Sequence, residues 1–159
     1  RDEAAVLPLE EEQGNAFLTN QTIRAQECHY FHEGVKRLVL ELEFETFVVF
    51  LVHLSLKYRH RQYQLGDLYS MFTAIVKPVI VAGDFNARWG DRELDLFLAA
   101  TGLINANGQG RPTFPSHSPR RQLDFILHSA AIEVKGFHIP RVSFSDHLPL
   151  VCDFDIAGA

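Results

Sequence analysis

The alternation of apolar and polar positions becomes regular at Leu38. Leu38, Leu40, Leu42 and Phe44 alternate with Val39, Glu41, Glu43 and Glu45. A side-chain period of two predicts a strand with one buried and one mostly wet face. After Glu45-Thr46 the run Phe47-Val48-Val49-Phe50-Leu51-Val52 is continuous, aromatic and β-branched. That is the composition of a strand covered on both faces, paired with its predecessor in an antiparallel hairpin. Leu65, Leu68, Tyr69, Phe72, Ile75 and Val76 then fall at helical spacing, with Pro78 as the stop. Val79-Ile80-Val81-Ala82 reads as a short buried strand ending at Gly83. A second helix runs from about Glu93 to Thr101, with Leu94, Phe97 and Leu98 on one side and Gly102 as its cap.

Asn105 to Arg121 is rich in Gly, Pro, Ser and Asn and predicts a long surface loop. Loops of that length are more often functional than idle. Three strands close the chain, at Gln122 to His128, Ile132 to Ile139 and Pro149 to Ile156. Residues 1–13 are acidic and unpatterned, so a loop or disordered start is expected there, followed by one domain over 14–159. Interleaved strands and helices of this kind specify a layered α/β or α+β domain.

Composition narrows the function classes. The chain has 159 residues, enough for one domain, with 47% hydrophobic and 22% charged residues. Its net charge of −5 does not support a general electrostatic attraction to nucleic acid. A polyanion would need a local basic patch or a metal ion to be held. Arg111, Arg120 and Arg121 form the local cluster on the C-terminal side. Cys28 and Cys152 make no disulfide framework and read as small buried side chains. No apolar run approaches the ~18 residues a membrane span needs. With two cysteines and no visible signal peptide, a cytoplasmic protein is expected. Arg1 in place of Met reads as a cut.

Chemistry concentrates where apolar strands end in polar residues. His53 ends the strand from Phe47, and Asp84 and Asn86 follow Val79-Ile80-Val81-Ala82. Asp124 lies between Leu123 and Phe125, and Asp146-His147 precedes the last strand. Asp84 and Asn86, two apart, leave an extended backbone on the same side. They offer a carboxylate for water or metal and an amide for a phosphate oxygen. Asp124, among apolar neighbours, calls for a partner such as a histidine. Each has an ordinary alternative: a turn at Gly83-Asp84, a solvent-facing Asp124, a polar turn at Ser145-Asp146-His147, a satisfied core histidine at position 53.

The order His, Asp-x-Asn, Asp, Asp-His resembles the signature of the endonuclease/exonuclease/phosphatase superfamily. Gly83-Asp84-Phe85-Asn86-Ala87, Arg121 to Leu127 and Ser145-Asp146-His147-Leu148-Pro149-Leu150 match three of its motifs in order. Val52-His53-Leu54 looks like its strand-end histidine, and Gly14-Asn15-Ala16-Phe17-Leu18 like the segment before its middle hairpin. The resemblance implies a deoxyribonuclease I-like β-sandwich flanked by helices, and hydrolysis of phosphodiesters or phosphomonoesters with Mg²⁺ or Mn²⁺. By the same resemblance, Asp84 would orient or deprotonate the attacking water, and Asn86 would donate to a phosphate oxygen. Asp124 would orient His147, which stabilises the transition state or acts as base. His53 would serve as acid or donor near the scissile phosphate. Asp146 would bind the metal, with Asp84 as a further ligand.

The family's principal metal ligand, a Glu, precedes the region that begins at Gly14. No apolar strand is expected upstream to carry it, since Glu10, Glu11 and Glu12 follow only Val6-Leu7-Pro8-Leu9. The sandwich is therefore expected to be N-terminally incomplete, with open edges that favour a homo-oligomer. The resemblance implies a phosphoester substrate, either nucleic acid or a small molecule, with Arg111 and Arg121 as candidate contacts. The loop Arg111-Pro112-Thr113-Phe114-Pro115 is placed to touch a phosphate or stack on a base, or else to be solvated. The competing reading is an inactive remnant that serves as a binding or interaction module.

Overall fold

The computed structural model of the protein describes residues 3–5, 14–35, 38–72, 74–89 and 91–156. In chain order the elements are β1 (Glu3–Ala5), β2 (Phe17–Thr19), β3 (Ala25–Tyr30), β4 (Leu38–Glu43), β5 (Val48–His53), α1 (Tyr58–Phe72), β6 (Val79–Asp84), α2 (Asp91–Thr101), β7 (Ile104–Asn105), β8 (Asp124–His128), β9 (Ile132–His138) and β10 (Val151–Ile156). The central sheet has six strands in the order β3-β4-β5-β6-β8-β7. Only β5 and β6 pair in parallel; the other four pairings are antiparallel. A parallel pair needs a crossover, and α1 supplies it.

Period-two patterning divides each central strand between two cores. Val39, Val48, Phe50, Val52, Val81, Phe125 and Leu127 face Leu65 and Leu68 of α1 and Leu94 and Phe97 of α2. Leu40, Leu42, Phe47, Val49 and Ile80 face the opposite way, toward Phe17 of β2, Ile132 of β9 and Phe154 and Ile156 of β10. The result is a helical layer, a mixed sheet and a second β layer. Two separate two-stranded sheets, β1-β2 and β9-β10, make up that second layer among the described residues. This is the layered sandwich that the sequence implies.

Several local expectations are corrected. The outer face of β4 is wet at its glutamates but not at Val39, which is 0% exposed because α1 builds a second core on that side. Helix α1 begins at Tyr58 and stops at Phe72, so Ile75 and Val76 lie beyond it, and Val76 is 99% exposed. The chain must turn there to deliver Pro78, whose carbonyl accepts from the Val48 amide at 2.9 Å as β6 begins. Stretch 105–121 is no free surface loop. It opens in β7, bridges Phe114 to Arg121, and buries Asn107 and Thr113. The side chains of Asn107 and Thr113 are both hydrogen-bonded, which is what allows them to leave the surface.

Upstream, Glu3–Ala5 pairs with Phe17–Thr19 as a strand where a loop was expected. The rest of the acidic start, with Glu10, Glu11 and Glu12, lies outside the described residues. Strand β3 carries the sequence Ala-Gln-Glu-Cys-His-Tyr and escapes the hydrophobic pattern because it is a largely exposed edge.

Candidate active site

Strands β5 and β6 run parallel and end together, and β8 starts where they end. Their register places His53 opposite Asp84 and Asp84 opposite Asp124. Side chains at paired positions share a face. One row of three polar residues therefore crosses three neighbouring strands, beside Leu51, Ala82 and Ile126 of the second core.

Local backbone chemistry sharpens that row. Gly83 has φ +143°, and a Cβ there would lie 1.9 Å from the Val52 carbonyl oxygen, so only glycine fits. Asn86 takes φ +50°, a left-handed conformation that asparagine tolerates. Its amide N–H donates to Asp84 Oδ1 at 2.8 Å. Its side-chain Nδ2 donates to the Leu54 carbonyl at 2.9 Å and to Asp84 Oδ2 at 3.2 Å. Both donors of the amide point inward, and Asn86 is only 5% exposed. In this arrangement Asn86 holds Asp84.

His53 Nε2 lies 3.2 Å from Asp84 Oδ2. Across the row, His147 Nδ1 and Asp124 Oδ2 are 2.8 Å apart. Thr113 Oγ1 donates to the same carboxylate oxygen at 2.5 Å and accepts from the Leu123 amide at 3.2 Å. The segment bearing His147 is stitched to the long loop by Leu148 N to Thr113 O at 2.8 Å and Ser116 N to Asp146 O at 2.7 Å. The Phe114 ring lies against the imidazole with centroids 4.8 Å apart. Sequence reasoning placed Thr113 and Phe114 in a candidate substrate loop but missed their contacts to Asp124 and His147. The only signal was their place in a Pro-flanked stretch just before the Asp124 strand.

The two carboxylates are driven in opposite directions. Burial pushes Asp84 upward, but hydrogen bonds from His53 and the Asn86 amide, with the charges of His53 and His147, hold it below the ordinary range. Burial also raises Asp124, and there the opposing bonds from Thr113 and His147 do not cancel it, while Asp84 adds repulsion. For His147, burial lowers the pKa, yet the bond and charge of Asp124 and the charges of Asp84 and Asp146 lift it above the usual value. Asp84 is thus the carboxylate whose ionised form the site favours more, and His147 is the imidazole that favours its protonated form.

Ligand atoms of Asp84, Asp124 and His147 all lie within 4.8 Å of one another. Two carboxylates and an imidazole are a fitting donor set for a divalent cation. The expected ligand Asp146 is not in this group. Its side chain is exposed and bonds Ser145 Oγ at 3.2 Å. Arg111 is drawn away, donating to the Phe137 carbonyl at 3.0 Å with its guanidinium 5.3 Å from the Phe137 ring centre. Arg121 is exposed, its backbone bridged to Phe114.

The profile of the Endonuclease/Exonuclease/phosphatase family matches residues 10–147, which span every residue of this row and His147. The chain belongs to that family. Membership supports phosphoester hydrolysis at the level of the family. Among family relatives, the uncharacterized protein YbhP of Escherichia coli K-12 is 31% identical over 173 residues, covering 96% of this chain. The chain spans 66% of the length of that relative. The mannosyl-6-phosphatase of Bacteroides thetaiotaomicron superposes with TM-score 0.71 at 16% identity, covering 89% of this chain and 70% of its own. Danio rerio TDP2, solved with a single-strand DNA product, gives TM-score 0.68 at 18% identity, covering 84% of this chain and 68% of its own. At such identities the structures speak for the fold. Among the described residues no helix is long and apolar enough to cross a membrane.

Proposed function

We propose that this family member hydrolyses a phosphoester at the row His53, Asp84 and Asp124, completed by His147. The observation that carries the proposal is the register of β5, β6 and β8. It aligns an ionised carboxylate, an oriented imidazole and a second histidine at one sheet end. Asp84, held ionised, orients the attacking water and takes its proton. Asn86 keeps Asp84 in place as a positioning residue. Asp124 and Thr113 fix the His147 ring so that its outer nitrogen presents a proton to the phosphoryl oxygens as charge develops. His53, 3.2 Å from Asp84, is the donor for the leaving oxygen. The carboxylates of Asp84 and Asp124 would hold Mg²⁺ or Mn²⁺, which when bound supplies the positive charge that an anionic ester needs.

The test is hydrolysis of bis-p-nitrophenyl phosphate and p-nitrophenyl phosphate, with Mg²⁺ or Mn²⁺ and after EDTA. The unsubstituted chain should be active only with metal, and Asp84→Asn should lower the rate by ~100-fold or more. A rate indifferent to Asp84→Asn would remove the site assignment. Binding of inorganic phosphate without turnover of either ester would favour the interaction-module reading. The ratio of the two rates separates diesterase from monoesterase, and single-stranded DNA offered beside them tests nuclease action.

A further inference from the structure

A second set of metal-type donors lies at the far edge of the central sheet, apart from the row just described. Glu27 and Glu41 face each other directly across β3 and β4, and His29 pairs with Val39 in the same register. Alternation puts Glu27, His29 and Glu41 on the face that Val39 shares with the helix-side core. His29 Nε2 is 2.5 Å from Glu41 Oε2, and Nδ1 is 4.0 Å from Glu27 Oε1. Ligand atoms of all three lie within 4.8 Å of one another. The His29 ring is stacked toward Phe50, centroids 6.5 Å apart and planes 26° apart, which fixes its orientation.

Charge makes this cluster incomplete. Like charges directly opposite on antiparallel strands destabilise the pair. Other carboxylates of the same hairpin each have their own cation: Glu43 meets Lys77 at 2.7 Å, and Glu45 meets Arg24. Glu27 and Glu41 share a single imidazole, which can neutralise only one of them. A divalent ion would neutralise both and take a ring nitrogen as well. His29 and Glu41 side chains are 22% and 21% exposed and Glu27 71%, which leaves room for water to complete the coordination.

We propose that Glu27, His29 and Glu41 form a second divalent-cation site that fastens the edge strand β3 to β4. The imidazole donor selects a Zn²⁺-like ion over Mg²⁺, which takes oxygen ligands and gives up its water reluctantly. Fixing β3 also fixes the turn that follows it, where the His32 amide donates to Asp67 Oδ2 of α1 at 3.0 Å. The proposal shares no residue with the hydrolytic row and stands or falls without it.

Zn²⁺ titration by calorimetry on the chelator-treated chain tests it. An Asp84→Asn/His147→Asn background, which removes the central donors, should still bind one equivalent. Adding His29→Asn or Glu27→Gln should weaken that equivalent by more than the ~10-fold that loss of an outer-shell partner costs, and millimolar Mg²⁺ should not displace it. In the unsubstituted chain, Glu27→Gln with His29→Asn should lower the bound Zn²⁺ by one equivalent, a comparison that does not depend on the background variant folding. Zn²⁺ should raise the melting temperature of the background and not of its Glu27→Gln form. Zn²⁺ binding unchanged by both substitutions, or none in a background shown folded by circular dichroism, would overturn the site. Glu27 is exposed, so its exchange for Gln leaves the fold intact.

Discussion

Asp84 is set by residues that do no chemistry themselves. Gly83 lets β6 pass against Val52, where a methyl group would sit 1.9 Å from a carbonyl oxygen. Gly83→Ala should therefore cost ~2–5 kcal/mol, from backbone strain and overpacking together. Urea unfolding measures it, and a loss below ~0.5 kcal/mol would contradict the packing described. Thr113 has the corresponding duty for Asp124, donating to its carboxylate and accepting from Leu123. Thr113→Val keeps the shape and deletes those bonds, with an expected loss of ~1–3 kcal/mol. Without that donor the Asp124 pKa should climb further and the His147 pKa should fall, because its charged partner is weaker. An NMR titration of the His147 ring shows whether the shift has that sign.

At the scale of elements, the two helices are locked by a buried ion pair. Arg61 of α1 joins Glu93 of α2, with side chains 3% and 1% exposed. The same guanidinium donates to the Ser55 and Leu56 carbonyls at 2.9 and 2.6 Å, in the segment that follows His53. Removing one partner of such a pair leaves an uncompensated buried charge, so Arg61→Met should destabilise by ~3–5 kcal/mol. Changing Glu93→Met as well should recover part of that loss, a result that thermal unfolding of the two variants reads directly. No recovery would mean that the carbonyl bonds of Arg61, not its charge pairing, matter most. This pair also shows why the start of α1 was illegible in sequence. Tyr58-Arg59-His60-Arg61 has no apolar period, because the buried group on that turn is a cation whose partner is 32 residues away.

For the whole molecule, the site couples stability to pH. Asp84 has a folded pKa below its ordinary 3.8, so its contribution is present above that value and is lost as pH falls through the lower folded one. His147 has a folded pKa above 6.5, so its contribution is full below 6.5 and is lost as pH rises through the raised value. Asp124 is raised, and its ionisation above 3.8 opposes folding. The melting temperature should decline as pH rises above 6.5 through the raised His147 value, and His147→Gln should flatten that decline. Mg²⁺, binding the folded chain, should raise the melting temperature by mass action, worth ~2.7 kcal/mol at a hundredfold excess over Kd. Asp84→Asn should abolish the response if the central donors hold the ion.

Sequence by itself determined four of the six central strands, the apolar parts of both helices, the layered class and the family. Phe47 to Val52, Val79 to Ala82 and the Gly83-Asp84-Phe85-Asn86 stretch are local patterns, and local patterns survive without knowledge of partners. That Asp124 called for a partner such as a histidine was legible for the same reason, while His147 as that partner came from the family resemblance. What only the tertiary structure decided is everything set by register and return contacts. The pairing of β5, β6 and β8 decides that His53, Asp84 and Asp124 stand in one row. The inward amide of Asn86 decides that it supports Asp84, and the pull of Phe137 on Arg111 decides that this arginine looks elsewhere. The role of Thr113 was invisible because one buried hydroxyl makes no period. Its importance comes from a bond to a residue 11 positions on, which only a folded chain can bring within reach.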